Sequence, residues 1–265
     1  MVGSALGEEP RGSEARAIGS VTLALRTDLA GTLVRRYKRF LADVEAPDGT
    51  LHTVHCPNPG SMLGCARPGS AVRCSTSTNP KRKLRHTLEM IRVGRIWVGL
   101  HTQRANQIAG LALEAGAIPE LAGYTHVRRE VTVGGGSRLD FCLDGRRLDG
   151  HRLDGHRRDE RPAWVEVKSV TLAEGRRARF PDSVTTRGRR HMDTLAKLCE
   201  EGARAAVLFV VQRGDCERVE PADDIDPMYG EALRAAAKRG VEVLAVRARV
   251  TARAIRLEGG LPVDL

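Results

Sequence analysis

What most limits the fold of this chain is a change of rhythm near residue 102. Before that point, short apolar alternations at 33–43, 51–56, 71–75, 87–93 and 96–100 are separated by turn formers. The turns are Pro47-Asp48-Gly49, Pro57-Asn58-Pro59-Gly60, Pro68-Gly69 and Asn79-Pro80. Proline pre-sets one backbone angle and glycine supplies conformations other residues avoid, so such clusters end strands. Five strands this short leave exposed edges unless the sheet closes on itself, and a small OB-type barrel does that.

After residue 102 the periodicity becomes that of alternating helices and strands. Residues 106–116 predict a helix with Ile108, Leu111, Ala112 and Ala115 on one face and Gly116 stopping it. Strands follow at 127–133, 139–143 and 164–170, then a helix at 188–201 and a wholly apolar strand at 205–211. Asp226 caps a last helix with Pro227 in its first turn, and a strand at 241–246 closes the sheet. The expected fold is α+β with two domains: an OB-like barrel over 21–102 and a mixed α/β domain over 103–265. Residues 1–20 read as a disordered tail. Residues 146–160 form three tandem five-residue units rich in Arg, Asp, Gly and His, too polar to join a core, with His151 and His156 as passengers.

Charge says more about partners than about fold. The formal net charge is +10, and between Val21 and Thr102 there are 13 Lys/Arg against 5 Asp/Glu, a local excess of +8. An excess so concentrated favours a polyanion over general solubility. Arg35, Arg36, Lys38 and Arg39 surround Tyr37, and Lys81, Arg82 and Lys83, with Arg85, form a second cluster. These are candidate phosphate contacts, which give affinity without sequence information. With only nine aromatic residues in the chain, base-stacking platforms are scarce, which favours backbone binding to DNA. The six cysteines fit neither a disulfide framework nor a zinc spacing and read as reduced thiols. No apolar run is long enough for a membrane span or a signal peptide, so a cytoplasmic protein is expected.

The chemistry is predicted in the second domain. Period-two geometry puts Leu139 and Phe141 on one face of a strand and Arg138 with Asp140 on the other. On the strand at 164–170, Val165, Val167 and Val170 look core-directed, while Glu166 and Lys168 share the opposite face. Pairing the two strands brings Asp140 beside Glu166. Two neighbouring carboxylates repel, and a divalent cation, Mg²⁺ or Mn²⁺, removes that repulsion. Glu114 on the preceding helix is placed as a further metal ligand, Lys168 near the attacking water or scissile phosphate, and His191 on the inward face of its helix. Competing readings are a cross-strand salt bridge, an exposed helix glutamate for Glu114 and a satisfied core histidine for His191. Asp182 is either an additional acid or a loop residue capping the next helix.

These residues lie within a longer pattern. Residues 36–44, 55–65 and 79–83, Arg138-Leu139-Asp140-Phe141, Glu166-Val167-Lys168-Ser169-Val170-Thr171-Leu172, Phe180-Pro181-Asp182, His191, Asp226-Pro227 and Gly240-Val241-Glu242 follow in order. In them the chain resembles the sugar fermentation stimulation protein A (SfsA) family over nearly all of 30–265. The resemblance implies an OB-like domain followed by a PD-(D/E)xK nuclease-type domain, sequence-nonspecific DNA binding, and a regulatory part in sugar, notably maltose, metabolism. Two departures stand out: Pro59 replaces the family's usual threonine, and the repeat at 146–160 lengthens a connection. The functional expectation is a DNA-binding protein with a divalent-metal site. The alternatives are an active Mg²⁺-dependent nuclease on structured DNA or RNA, and an RNA-binding OB protein.

Overall fold

The computed structural model describes residues 19–145 and 161–265. The expected tail, apart from its last two residues, and the repeat at 146–160 lie outside the described residues.

After a short strand β1 (Thr22–Ala24), a barrel is built from β2 (Leu29–Tyr37), β3 (Leu41–Glu45), β4 (Leu51–His55), β5 (Ala71–Thr76) and β6 (His86–Val93). They pair in the order β4-β3-β2-β5-β6, and β4 closes on β6 through His55 and Thr87. Leu33, Val44, Val54, Cys56, Met62, Val72, Leu88 and Ile91 fill it. The expected single strand over 33–43 is instead a hairpin. Lys38 and Arg39 take left-handed backbone angles (φ 45° and 64°) and turn β2 into β3. The expected last barrel strand, β7 (Ile96–Gly99), pairs with β6 and leads out of the barrel.

The second part starts with helix α1 (Thr102–Glu114). Then come β8 (His126–Thr132), β9 (Arg138–Asp144), β10 (Ala163–Val170), and the short strands β11 (Leu172–Glu174) and β12 (Arg177–Phe180). Helix α2 (Thr186–Glu200), β13 (Arg204–Val211), β14 (Arg218–Pro221), α3 (Pro227–Lys238), β15 (Glu242–Val250) and β16 (Ala254–Gly260) complete the fold. The main sheet runs β7-β15-β13-β10-β9-β8, with β10, β13 and β15 parallel; β11, β12 and β14 make a second, small sheet. Strand β15 does not close the sheet, as expected of 241–246, but lies inside it. It joins β13, β16 and, through Val250 and Trp97, the barrel's outgoing strand.

Helix α1 covers one face of this sheet, and α2 and α3 cover the other. The apolar run of β13 follows from that sandwich. Ala206, Leu208 and Val210 enter the α1-side core, while Ala205, Val207, Phe209 and Val211 enter the other. The same arrangement rotates α1 from its expected orientation. Its buried stripe is Ala105, Ile108, Ala109, Ala112 and Leu113, whereas Leu111 is exposed. Small alanines let the helix approach the sheet closely, and that outweighs the larger Leu111. Buried Glu89 on β6 ties barrel to helix, accepting from Arg104 on α1 at 2.9 and 2.7 Å. Its burial pushes the carboxyl up, but the hydrogen bond from Arg104, the nearby His101 and Arg104 charges and the Ser75 hydroxyl together outweigh this and hold it below the usual range. The six cysteines are free thiols, five of them buried.

Candidate metal-type site between barrel and sheet

Strands β9 and β10 pair from Leu143/Ala163 to Phe141/Val165, and there the ladder stops. The reason is Asp140, the next residue: its Oδ2 accepts the backbone N–H of Val167 at 2.7 Å, replacing a strand-to-strand bond with a side-chain one. The two strands splay, and Leu139 packs in the α2-side core while Phe141 packs in the α1-side core. Leu139 and Phe141 therefore do not share a face as simple alternation requires. Val170 likewise lies with the α2-side core, the side that Glu166 and Lys168 also face.

The splay makes room for charge. Asp140 Oδ1 accepts from Asn106 Nδ2 on α1 at 2.6 Å. Glu166, 5% exposed, accepts at Oε1 from Lys168 Nζ at 2.7 Å and from His191 Nδ1 on α2. Arg187, one turn earlier on α2, directs its Nε at His191 Nε2 at 3.4 Å. That makes Nε2 the acceptor and Nδ1 the protonated nitrogen that faces Glu166. Glu166 Oε2 is buried and has no hydrogen-bond partner. Buried polar atoms are nearly always satisfied, so an orphaned carboxylate oxygen marks a place for a cation or water.

The electrostatics of the two carboxyls diverge. Burial, then the charge of Glu166, pushes Asp140 up from its usual 3.8 to about 6. Burial also pushes Glu166 up, but Lys168 and the hydrogen bond from His191 outweigh it and hold Glu166 below the ordinary range. The site therefore carries one firmly ionised carboxylate beside one whose ionisation is opposed by its neighbour.

A cavity of about 460 Å³ opens over this pair. Its floor is Asp140, Glu166 and Lys168, and α1 contributes Thr102, Gln103 and Asn106. The barrel contributes Arg39 and the turn at 58–60, and the loop at 180–185 with Arg187 faces them. Asp182 does not cap α2. Thr185 does, accepting from Gly188 N at 3.0 Å, and its own N–H is held by the buried Asp226 carboxylate at 2.8 Å. Asp182 instead bonds across to the barrel, accepting from Met62 N at 2.9 Å at its carboxylate and from the Ser61 hydroxyl at its carbonyl.

The structure thus brings together Asp140, Glu166, Lys168 and His191, and it leaves Glu114 outside. Glu114 lies almost opposite the buried stripe of α1, pairing with Arg129 at 2.8 Å; Asn106, on the flank of that stripe, reaches the site. Asn106 and Arg187 are the residues that reasoning from sequence passed over as site members. A polar side chain beside the alanine stripe was the available signal for Asn106.

The basic residues of the barrel fall into two groups. Arg36 is consumed internally, donating to the carbonyls of Arg39, Asn58, Gly60 and Ser61 at 2.8, 3.0, 2.8 and 3.1 Å. It is a staple of the 58–61 turn. Arg35 pairs with Asp43 at 2.7 Å, and Arg82 donates to Thr87 at 2.7 Å. Lys38, Lys81, Lys83 and Arg85 are exposed and make no salt bridge among the described residues. Arg39, also exposed, uses Nε on the Pro59 carbonyl at 2.8 Å.

Comparison with known proteins matches this architecture. Residues 34–100 match the family model described as SfsA N-terminal OB domain, and residues 103–254 match that described as sugar fermentation stimulation protein RE domain. A sugar fermentation stimulation protein homolog of Geobacter metallireducens is 50% identical over 236 residues, covering 89% of this chain and 96% of the relative. A homolog of Halorhodospira halophila is 52% identical over 234 residues, covering 87% and 93%. Among solved structures, Pyrococcus furiosus SfsA in complex with Ca²⁺ matches with a TM-score of 0.78 at 25% identity. That match covers 92% of this chain and all of the other.

Proposed function

The chain belongs to the sugar fermentation stimulation protein family, and from that premise we propose that it is a DNA-binding protein whose second domain carries a divalent-metal phosphodiesterase site. The observation that carries this reading is the buried pair Asp140 and Glu166, with Glu166 Oε2 unsatisfied and Lys168 Nζ on the same carboxylate. Among the described residues no cluster of three or more His, Cys, Asp or Glu is arranged for a metal. Mg²⁺ does not need one, since it is commonly held by one or two carboxylates with water and substrate phosphate filling the rest. The donor set therefore fits, with Asp140 and Glu166 as holders. The Ca²⁺ named for the Pyrococcus furiosus relative is a hard, oxygen-seeking ion of the same kind.

When bound, a divalent ion supplies a clamp on phosphate oxygens and a more acidic water. The chain's own residues do the positioning. Asn106 and the Val167 N–H orient Asp140, while His191, fixed in its tautomer by Arg187, orients Glu166. Lys168 lies where a cation would meet a phosphate or hold an attacking water, and it keeps Glu166 ionised meanwhile. Lys38, Lys81, Lys83 and Arg85 supply sequence-independent affinity for the backbone. The family's name points to a part in sugar fermentation, and we propose a regulatory one, with the protein acting in the cytoplasm.

The test is a cleavage panel of duplex, single-stranded, branched and RNA substrates with Mg²⁺, Mn²⁺ or EDTA. Wild type should cleave at least one substrate with metal, and Lys168→Ala should bind it normally without cutting. Absence of cleavage, together with no effect of either metal on the melting temperature, would sink the proposal.

A further inference from the structure

Resting on that phosphodiesterase reading, we infer that Ser169 is a further catalytic residue of the site, its hydroxyl donating to a non-bridging oxygen of the phosphate under attack, and that the buried Gln212 is the positioning residue that aims it.

Three observations lead there. The first is the place of Ser169, which follows from the splaying of β9 and β10. Beyond Phe141 and Val165 the two strands no longer pair, so the end of β10 is open to the cavity along its edge. Alternation puts Glu166 and Lys168 on the α2 side of that strand and Val165, Val167 and Ser169 on the α1 side. Lys168 and Ser169 nonetheless line one cavity, where Thr102, Gln103 and Asn106 of α1 also stand. A phosphate at Asp140 and Glu166 is thus met by an ammonium from one face of the strand and by a hydroxyl from the other.

The second is what holds the hydroxyl. Gln212 Nε2 donates to Ser169 Oγ at 2.8 Å and to the His101 carbonyl at 3.4 Å. A carbonyl only accepts, so the Gln212 atom facing both groups is the nitrogen, and Ser169 is the acceptor in their bond. The Ser169 proton has no acceptor among the described residues and is left for the cavity. A hydroxyl that receives a bond from an amide is also polarised by it and becomes the stronger donor.

The third is the cost of Gln212 where it stands. It ends the wholly apolar run of β13, is 0% exposed, and its Oε1 is buried with no hydrogen-bond partner. An amide buried with one end unsatisfied costs free energy that an apolar residue would not, so packing gives no reason for it. The surroundings fix it nevertheless. Its N–H bonds the Val170 carbonyl and its carbonyl accepts from Gly99 N, each at 2.9 Å. A Cβ on Gly99 would stand 2.7 Å from Gln212 Oε1, so glycine is what leaves room for the amide. The barrel wall of the cavity is held as well. Met62 N–H and the Ser61 hydroxyl bond Asp182, and a Cβ on Gly60 would stand 2.3 Å from Asp182 Oδ1. A donor fixed in this way needs no rearrangement to meet charge that develops in the transition state, the condition under which one hydrogen bond counts most toward rate.

The experiment uses the full-length protein on the duplex, single-stranded, branched and RNA panel. Single-turnover cleavage with Mg²⁺, affinity for each substrate in EDTA and the Mg²⁺-induced melting shift are measured for wild type and four variants. Ser169→Ala should cut about a hundredfold more slowly, with its melting shift unchanged and its affinity within about twofold of wild type. Ser169→Thr, which keeps a hydroxyl, should recover most of the rate. Gln212→Met, similar in length but without the amide, should slow cleavage by about tenfold or more while melting no lower than wild type, and the double variant should be no slower than Ser169→Ala alone. That non-additivity separates a residue acting through Ser169 from one that only supports the fold. Cleavage by Ser169→Ala at the wild-type rate, a loss confined to affinity, or equal slowing by Gln212→Met with and without Ser169 would overturn the inference. If wild type shows the melting shift and cuts while Ser169→Ala matches it, only the role of Ser169 falls. A shift with no cleavage of any substrate overturns the inference and leaves the metal site alone standing; neither shift nor cleavage takes the reading beneath it as well.

Discussion

Replacing Asp140 with Asn should stabilise the metal-free protein, and do so more as pH rises. In the folded chain burial and Glu166 push the Asp140 carboxyl from its usual 3.8 to about 6. A carboxyl whose folded pKa is raised binds more protons folded than unfolded. Its ionisation therefore opposes folding, beginning near pH 4 and reaching the full amount above about pH 6. A rise from 3.8 to about 6 corresponds to roughly 3 kcal/mol at pH 8 and about 1 kcal/mol at pH 4.5. Asn keeps an oxygen for the Val167 N–H, and Asn106 can turn its amide to accept from the new one, so the hydrogen bonds survive the exchange. The variant should thus gain about 1 kcal/mol at pH 4.5 and about 3 at pH 8 in EDTA, the larger gain being on the order of 5–10 °C in melting temperature. Urea denaturation followed by Trp97 and Trp164 fluorescence across pH 4.5–8.5 measures it. A gain that does not vary with pH, or a loss at pH 8, would refute the argument that Glu166 and burial set the state of Asp140.

Other outcomes follow from the same structure. Arg36→Ala removes the staple of the 58–61 turn and should destabilise the protein by about 2–3 kcal/mol, since hydrogen bonds to a charged donor are worth about 1.5–3 kcal/mol each and this one is partly exposed. The slope of DNA affinity against salt should stay unchanged in that variant, and a fall in slope without a fall in stability would return Arg36 to the DNA-binding surface. Asp226→Ala deprives both Tyr229 N and Thr185 N of an acceptor at a site 2% exposed, and should cost about 2–4 kcal/mol in a thermal melt. Replacing Lys81, Lys83 and Arg85 with alanine should lower the slope of log K against log salt by about 0.9 for each phosphate of duplex DNA that is no longer neutralised; an unchanged slope would put the binding face elsewhere. Deleting residues 146–160 and bridging the paired ends of β9 and β10, where Leu143 faces Ala163, with a short turn should leave the melting temperature within a degree or two. A collapse of folding would show that the repeat is structural.

Local chemistry determined a large part of this molecule before any chain crossing was known. Turn residues forced short strands in the first hundred residues, and short strands forced closure. The unbroken apolar run of β13 already required cover on both faces, and Asp226-Pro227 required a helix start. Glu166 and Lys168, two apart on a strand, had to share a face whatever the fold. The tertiary structure decided what depends on backbone meeting backbone. The hairpin at Lys38–Arg39 hid within an apolar alternation because its left-handed angles belong to arginine and lysine, which carry no sequence signature for them. The facing of α1 was misplaced because the closeness of helix to sheet, which favours three alanines over Leu111, appears only once both are present; Glu114 was lost to the site with it, and Asn106 brought in. Arg36 looked like its neighbours as a charge, and became a structural staple only because three carbonyls of a turn more than twenty residues away converge on it. Asp182, legible only as an acid, became the bolt between domains because two chain segments some 120 residues apart meet there, at a distance that only Gly60 allows.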